Sequence, residues 1–245
     1  MIKYFKKTGP LKIYEIWFDH HTKFTDLFSV FGVFHLKKDK KIYGVKTISH
    51  TIEIELQKSS EEVFNGFNKK IRQDYRHAEE SDFTIEKTTD LALFANFFNE
   101  FAKQRNTFTT SIKRLQEKLP YLQIYVVKYK GEIYGAQSYL VDDDEKMIRY
   151  YQSSSLRLQE DIDKNIVARA GKYLLMKSIM MYNEQGYKIF DMGGYAMNTT
   201  DEGLQGINTF KSKFGGQIVE CVDYYSYPYC LLKKLSKLIG YSATL

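Results

Sequence analysis

On a helical wheel Lys69, Arg72 and Arg76 fall within about 60° of one another, so a helix through this segment carries a cationic ridge. Arginine grips a phosphate through a bidentate fork. Arg72 and Arg76 are therefore candidates to hold the diphosphate of a nucleotide-linked or lipid-linked substrate; the competing reading is a solvated helix face. Asp191 stands just before Gly193 and Gly194. There a carboxylate can orient an amine or take its proton, or it can simply cap the turn. Five histidines, with His20 and His21 the only adjacent pair, show no metal-ligand spacing, and Cys221 and Cys230 lack partners, so no metal is expected. Near the end of the chain Leu231, Leu232, Leu235, Leu238 and Ile239 lie opposite Lys233, Lys234 and Lys237. Such a basic amphipathic helix either packs on the domain or rests on an anionic membrane surface.

These side chains need a scaffold, and the apolar pattern supplies one. Runs over residues 12–18, 30–36 and 42–48 are rich in branched and aromatic residues and read as strands, with residues 38–41 as a turn. Residues 51–56 alternate with period two, the mark of a half-buried strand. Ser59 and Glu62 form a capping box that opens a helix with Phe64, Phe67, Ile71, Tyr75 and Ala78 inward. A short strand at 83–87 precedes a helix over 90–105 with Leu91, Phe94, Phe98 and Phe101 inward, then a helix over 111–119 stopped by Pro120. Three strands at 122–129, 132–141 and 146–153, joined by Lys130-Gly131 and Asp142-Asp143-Asp144, make an antiparallel meander. The longest helix, 164–185, is apolar nearly all round and ends at Gly186 as a left-handed cap. A strand at 187–191, one or two helical turns within 206–214 and a strand at 217–225 complete an α+β fold with a mixed central sheet.

At 245 residues with 43% hydrophobic content the chain can bury a substantial core. The formal charge of +6 permits a phosphate-bearing ligand without demanding one, and nothing points to DNA. The basic start of the chain lacks the apolar run of a signal peptide, no stretch approaches the roughly 18 apolar residues that span a bilayer, and two cysteines cannot scaffold a domain of this size. A cytoplasmic location is expected, at the inner membrane surface if the terminal helix does contact lipid.

The order of elements is similar to the GNAT acyltransferase fold, and four segments resemble its FemAB-like branch, the peptidoglycan-bridge aminoacyltransferases and their relatives. They are Lys46-Thr47 with residues 51–56 leading into Arg72-Gln73-Asp74-Tyr75-Arg76-His77-Ala78; the meander ending Tyr150-Tyr151-Gln152-Ser153-Ser154-Ser155; the long helix with the run from Gly186 to Asp191-Met192-Gly193-Gly194; and Gly206-Ile207-Asn208-Thr209-Phe210-Lys211-Ser212-Lys213-Phe214-Gly215-Gly216. Each is weak alone; four in order are not coincidence. The bridge enzymes carry two tandem GNAT-like domains, whereas no internal repeat covers this chain. Residues 1–50 then read as a β-rich segment, a reduced first subdomain, residues 51–228 as the acyltransferase domain, and residues 229–245 as the basic amphipathic helix.

The resemblance implies that the strand ending the meander splays from its neighbour and frees backbone N–H groups, and that the next helix offers its N-terminus to a pyrophosphate. On this sequence it implies a donor site at Tyr151, Ser153, Arg157, Lys164 and Asn165, with acyl-CoA, acetyl-CoA in the simplest case, as co-substrate. It places Lys211 beside the transferred acyl group, where a cation steadies developing negative charge. It also gives catalytic candidates in Asp191 and Tyr150, and an acceptor site at Arg72, Arg76, Gly193 and Gly194. The function implied is N-acyl transfer to an amino sugar or amino acid, or to a nucleotide- or lipid-linked amine in cell-surface glycan or peptidoglycan assembly. Two alternatives stand beside it: an aminoacyl-tRNA-dependent FemAB-type transferase acting on a peptidoglycan precursor, and a GNAT-fold binding module without catalysis.

Overall fold

The structure is a computed structural model and describes residues 1–8, 11–38 and 40–238. Asp39, within the turn expected over 38–41, and residues 239–245, the end of the expected amphipathic helix, lie outside the described residues. By its internal contacts the chain forms two compact units, one of Ile52–Ile218 and one of Met1–Thr51 with Val219–Leu245.

The larger unit holds the meander. Its strands are β5 (Phe83–Thr88), β6 (Leu122–Tyr129), β7 (Glu132–Asp142), β8 (Met147–Ser155) and β9 (Ile189–Gly194), joined by the C-terminal part of β4 (Gly44–Glu55), in the order β4-β9-β8-β7-β6-β5. Neighbours from β5 to β8 are antiparallel and β8 runs parallel to β9, so the sheet is mixed as expected. Helix α5 (Lys164–Glu184) lies on one face and buries Leu174, Ile179 and Tyr182 against Tyr139 and Phe190. Helix α3 (Leu91–Gln104) lies on the other, with Phe94 and Phe98 packed against Ile124, Val126 and Ala136. Helix α4 (Ile112–Gln116) adds Leu115 to that layer.

The helix opened by Ser59 is broken in two. Its capping box forms, the Glu62 N–H donating to Ser59 Oγ at 3.2 Å and the Ser59 N–H to Glu62 Oε2 at 2.9 Å. But α1 (Ser60–Gly66) stops at Phe67, whose backbone is extended, and Asn68 starts α2 (Lys69–Glu79) by accepting from the Lys70 N–H at 2.9 Å. Phe67, Ile71 and Ala78 are still buried, although two residues, Phe67 and Asn68, separate the helices. Similarly α6 (Glu202–Ser212) runs three turns rather than one or two, since Asp201 caps it by accepting from the Leu204 N–H at 2.9 Å.

In the smaller unit β1 (Ile2–Thr8) pairs antiparallel with β2 (Leu11–Trp17), β2 lies parallel to β3 (Val30–Leu36), and β3 pairs antiparallel with β10 (Gln217–Ser226). β1 is an element the sequence pattern did not signal, its lysines masking the alternation. A short 3-10 helix, Phe24–Phe28, connects β2 to β3, and α7 (Tyr227–Leu238) follows β10. The two runs read as separate strands at 42–48 and 51–56 are one continuous strand, β4.

Candidate active site

The parallel pairing of β8 and β9 lasts three residue pairs, Met147 with Ile189, Ile148 with Phe190 and Arg149 with Asp191, and then stops. Beyond it Tyr150 and Gln152 to Ser155 pair with β7, the register shifting at Tyr151. This is the expected splay: past Arg149 the ladder between β8 and β9 is not continued.

Arg149 and Asp191 close the base of the opening. Asp191 is wholly buried, and Arg149 Nη1 donates to both its oxygens at 2.9 Å. Oδ1 also accepts from the Gly193 N–H at 2.8 Å, which is the turn-capping role the sequence left open. Gly193 has φ +88, a conformation that disfavours any side chain. A Cβ there would stand 3.3 Å from Lys211 Nζ and 3.6 Å from the Arg149 guanidinium. Lys211, in the last turn of α6, donates to the Gly194 carbonyl at 2.7 Å. Burial, then the Arg149 charge, lowers its pKa to about 8, with Asp191 opposing.

The remaining glycines of the last motif have a packing reason. Gly215 has φ +76, and a Cβ on it would meet the Gly66 carbonyl at 2.4 Å. One on Gly216 would meet Ile52 at 2.4 Å. The Asn68 N–H donates to the Lys213 carbonyl at 2.8 Å, and the Phe214 ring, fully buried, packs edge-on against Phe67 and Phe210. The end of α6 is thus pinned to the α1–α2 corner, and Lys211 is carried on that pinned end. Asn208 fixes the other side through two bonds to the Ala196 backbone, at 3.2 and 2.8 Å.

The structure brings Lys211, Asp191, Gly193 and Gly194 together. Tyr150, one residue past the split, is pushed up to about 12 by burial, partly offset by a hydrogen bond with Ser153 and by the Arg157 charge. It therefore keeps its proton at neutral pH. Ser153 is exposed, while Tyr151 lies under Lys118 Nζ, 5.7 Å from the ring centre. The Arg157 guanidinium stacks 5.0 Å above Phe101. The Lys164 ammonium donates to the Gln159 carbonyl. At the start of α5 the Asn165 and Ile166 N–H groups donate to the Asp163 carboxylate, at 2.8 and 3.4 Å. Arg72 Nη1 donates to the carbonyls of Asn65 and Phe67, at 2.5 and 3.0 Å, and Arg76 lies over the Phe64 ring at 5.6 Å. Both arginines are engaged by the end of α1. Farther along β8, Gln152 Oε1 and Ser154 Oγ are buried polar atoms without a hydrogen-bond partner.

Arg149 is the residue sequence reasoning missed. Its signal was a charge in the stretch Met147-Ile148-Arg149-Tyr150, otherwise apolar, where a cation inside a sheet needs a buried acid.

A meander, a long helix crossing to a parallel strand, and a sheet that opens between them make a GNAT-like α+β fold. No protein-family model matches the sequence, and no curated protein matches it. Among solved structures it is similar to FemX, with 12% identity, a TM-score of 0.61, and 96% of this chain and 85% of that chain covered. It is also similar to the C-terminal domain (DUF2156) of a putative lysylphosphatidylglycerol synthetase from Agrobacterium fabrum, with 11% identity, a TM-score of 0.58, and 99% and 86% covered. L-PGS from Bacillus licheniformis follows with 16% identity, a TM-score of 0.57, and 97% and 85% covered. At such identities the likeness is one of fold.

Proposed function

We propose that this chain transfers an activated acyl or aminoacyl group to an amine in the opening between β8 and β9. The observation that carries the reading is the end of β8–β9 pairing at Arg149–Asp191, with the Lys211 ammonium held at the mouth against Gly194. A neutral amine attacks the carbonyl, a C–N bond forms, and the bond from carbonyl to carrier breaks. The proton lost by the amine balances the one taken by the leaving group. Lys211, with N–H groups of β8 past Arg149, stabilises the oxyanion, and Tyr150, protonated at neutral pH, is placed to give a hydrogen to the departing atom. Asp191 acts by positioning Arg149 and Gly193 rather than as a base, because its oxygens are already engaged.

For the donor, the start of α5 favours an aminoacyl ester over coenzyme A. The N–H groups that a pyrophosphate would use are taken by Asp163, whose charge repels a phosphate there. The lysylphosphatidylglycerol synthetase likeness fits an aminoacyl group as the cargo. The acceptor class is then the amine of an amino acid, amino sugar or lipid-linked precursor in cell-envelope assembly, and residues 1–50 are the reduced counterpart of a first subdomain. The deciding experiment is a transfer assay with aminoacyl-tRNA or acetyl-CoA over a panel of amines, read by mass spectrometry, with and without ribonuclease. Ribonuclease-sensitive product formation supports the aminoacyl donor, and product from acetyl-CoA alone replaces it. Donor binding by calorimetry with no product from either donor would leave only a binding module.

A further inference from the structure

The smaller unit carries an apolar face that the proposed chemistry does not use. The 3-10 helix Phe24–Phe28 leaves Phe24 and Phe28 73% and 76% exposed, their rings edge-to-face at 6.2 Å. Helix α7 packs beside it and exposes Tyr227, Leu231 and Leu235, at 55%, 59% and 47%. A spacing of four sets these three on one stripe. Tyr229, on the opposite side of α7, is buried in the unit, so this helix has an apolar face toward its core and a second toward solvent. A helix packed on a soluble domain turns polar residues outward.

The charge around this face has one sign. Lys23 and Lys234 are exposed beside it, while Lys233 turns to the Tyr225 ring on the other side of α7, and α7 has no acidic residue. The one acid of the 3-10 helix, Asp26, is turned inward, where it bonds His20 Nε2 at 2.9 Å and accepts from the Lys23 N–H at 2.8 Å. It cannot offset the lysines outside. Two copies of the chain joined across this face by a twofold axis would set lysine against lysine. An extended anionic surface satisfies both properties at once, taking rings and leucines into its interface and lysines against its phosphates. We propose that Phe24, Phe28, Tyr227, Leu231 and Leu235, flanked by Lys23 and Lys234, form a docking face for an anionic phospholipid bilayer.

Cosedimentation of the purified full chain with vesicles tests this, comparing phosphatidylcholine alone with a phosphatidylglycerol–phosphatidylcholine mixture. The expected result is binding to the anionic vesicles, weakening with salt and at least about tenfold tighter than to phosphatidylcholine. A Phe24→Ser/Leu231→Ser double variant loses that binding. Lys23→Gln/Lys234→Gln loses the preference for anionic lipid while remaining folded. Trp17, the single tryptophan, is 8% exposed and lies 4.8 Å from Phe34, so unchanged emission certifies the fold of each variant. If the serine variant unfolds, the glutamine variant decides. The proposal is overturned by a folded wild type that ignores anionic vesicles, by equal binding to both vesicles, by folded variants that bind like wild type, or by a dimer in light scattering that the serine substitutions break.

Discussion

An ammonium beside a guanidinium persists only if something gains from it, and in Lys211 the proposed gain is charge stabilisation in the transition state. Lys211→Ala is expected to lower turnover by about 10²-fold, the effect of losing one preorganised charge stabiliser, with little change in substrate KM. The pH profile separates this role from general-base catalysis. With its pKa lowered to about 8, the lysine is cationic at pH 7 and neutral by pH 9, so the rate should fall as pH rises through 8 and Lys211→Arg should move that limb upward. A rate that instead rises through the same range makes Lys211 a base. Its neighbour Asp191 makes a structural prediction. Asp191→Ala leaves Arg149, 12% exposed, without its carboxylate, and should cost about 3–5 kcal/mol in denaturant unfolding. A double replacement of both partners by apolar residues should recover much of that. Lys211 and Asp191 are legible in the sequence because glycines and aromatics at fixed spacing surround them. Arg149 is not, because its partner lies 42 residues away.

At the scale of elements, the ends matter more than the middles. Gly193 and Gly215 both sit at positive φ; a Cβ on Gly215 has no room, and one on Gly193 stands tightly, 3.3 Å from Lys211 Nζ. Gly193→Ala should destabilise by about 1–2 kcal/mol, the cost of a left-handed alanine, and it should lower turnover as well, because the new methyl pushes Lys211 Nζ off Gly194. Gly215→Ala should destabilise more, since it drives backbone against the Gly66 carbonyl at 2.4 Å rather than against a flexible amine. Thermal melts rank the two, and the reverse order would mean that the α6 terminus relaxes freely. These loops were readable from Gly-Gly pairs. The α1–α2 break was not, since Phe64, Phe67, Ile71, Tyr75 and Ala78 keep helical spacing through it and Asn68 alone marks the new cap.

For the whole molecule, strand existence was legible and strand partnership was not. Alternation shows that residues 52–56 have one buried face, but not that β4 lies beside β9, where the Leu56 N–H donates to the Lys188 carbonyl at 2.8 Å, because pairing is settled by residues far apart in sequence. The same assembly buries ionisable groups in opposite senses, which sets how global stability follows pH. Lys211 has a folded pKa of about 8 against an ordinary 10.5. Between those values the unfolded chain holds a proton that the folded chain has released, so this group makes stability rise with pH across that window. Burial raises Tyr139, Tyr150, Tyr173, Tyr182 and Tyr187 above their ordinary value of 10.0. Above pH 10 the unfolded chain ionises first, and the stability these phenols contribute is lost as pH climbs toward their folded values. The wild-type Tm should therefore gain on that of Lys211→Met between pH 8 and 10, and both should fall steeply above 10. Tyrosinate absorbance should appear in two stages, exposed phenols near pH 10 and the buried set only together with unfolding. Complete tyrosine ionisation near pH 10.5 in a chain that keeps its circular dichroism would show that the aromatic layer between β7 and α5 is open to water.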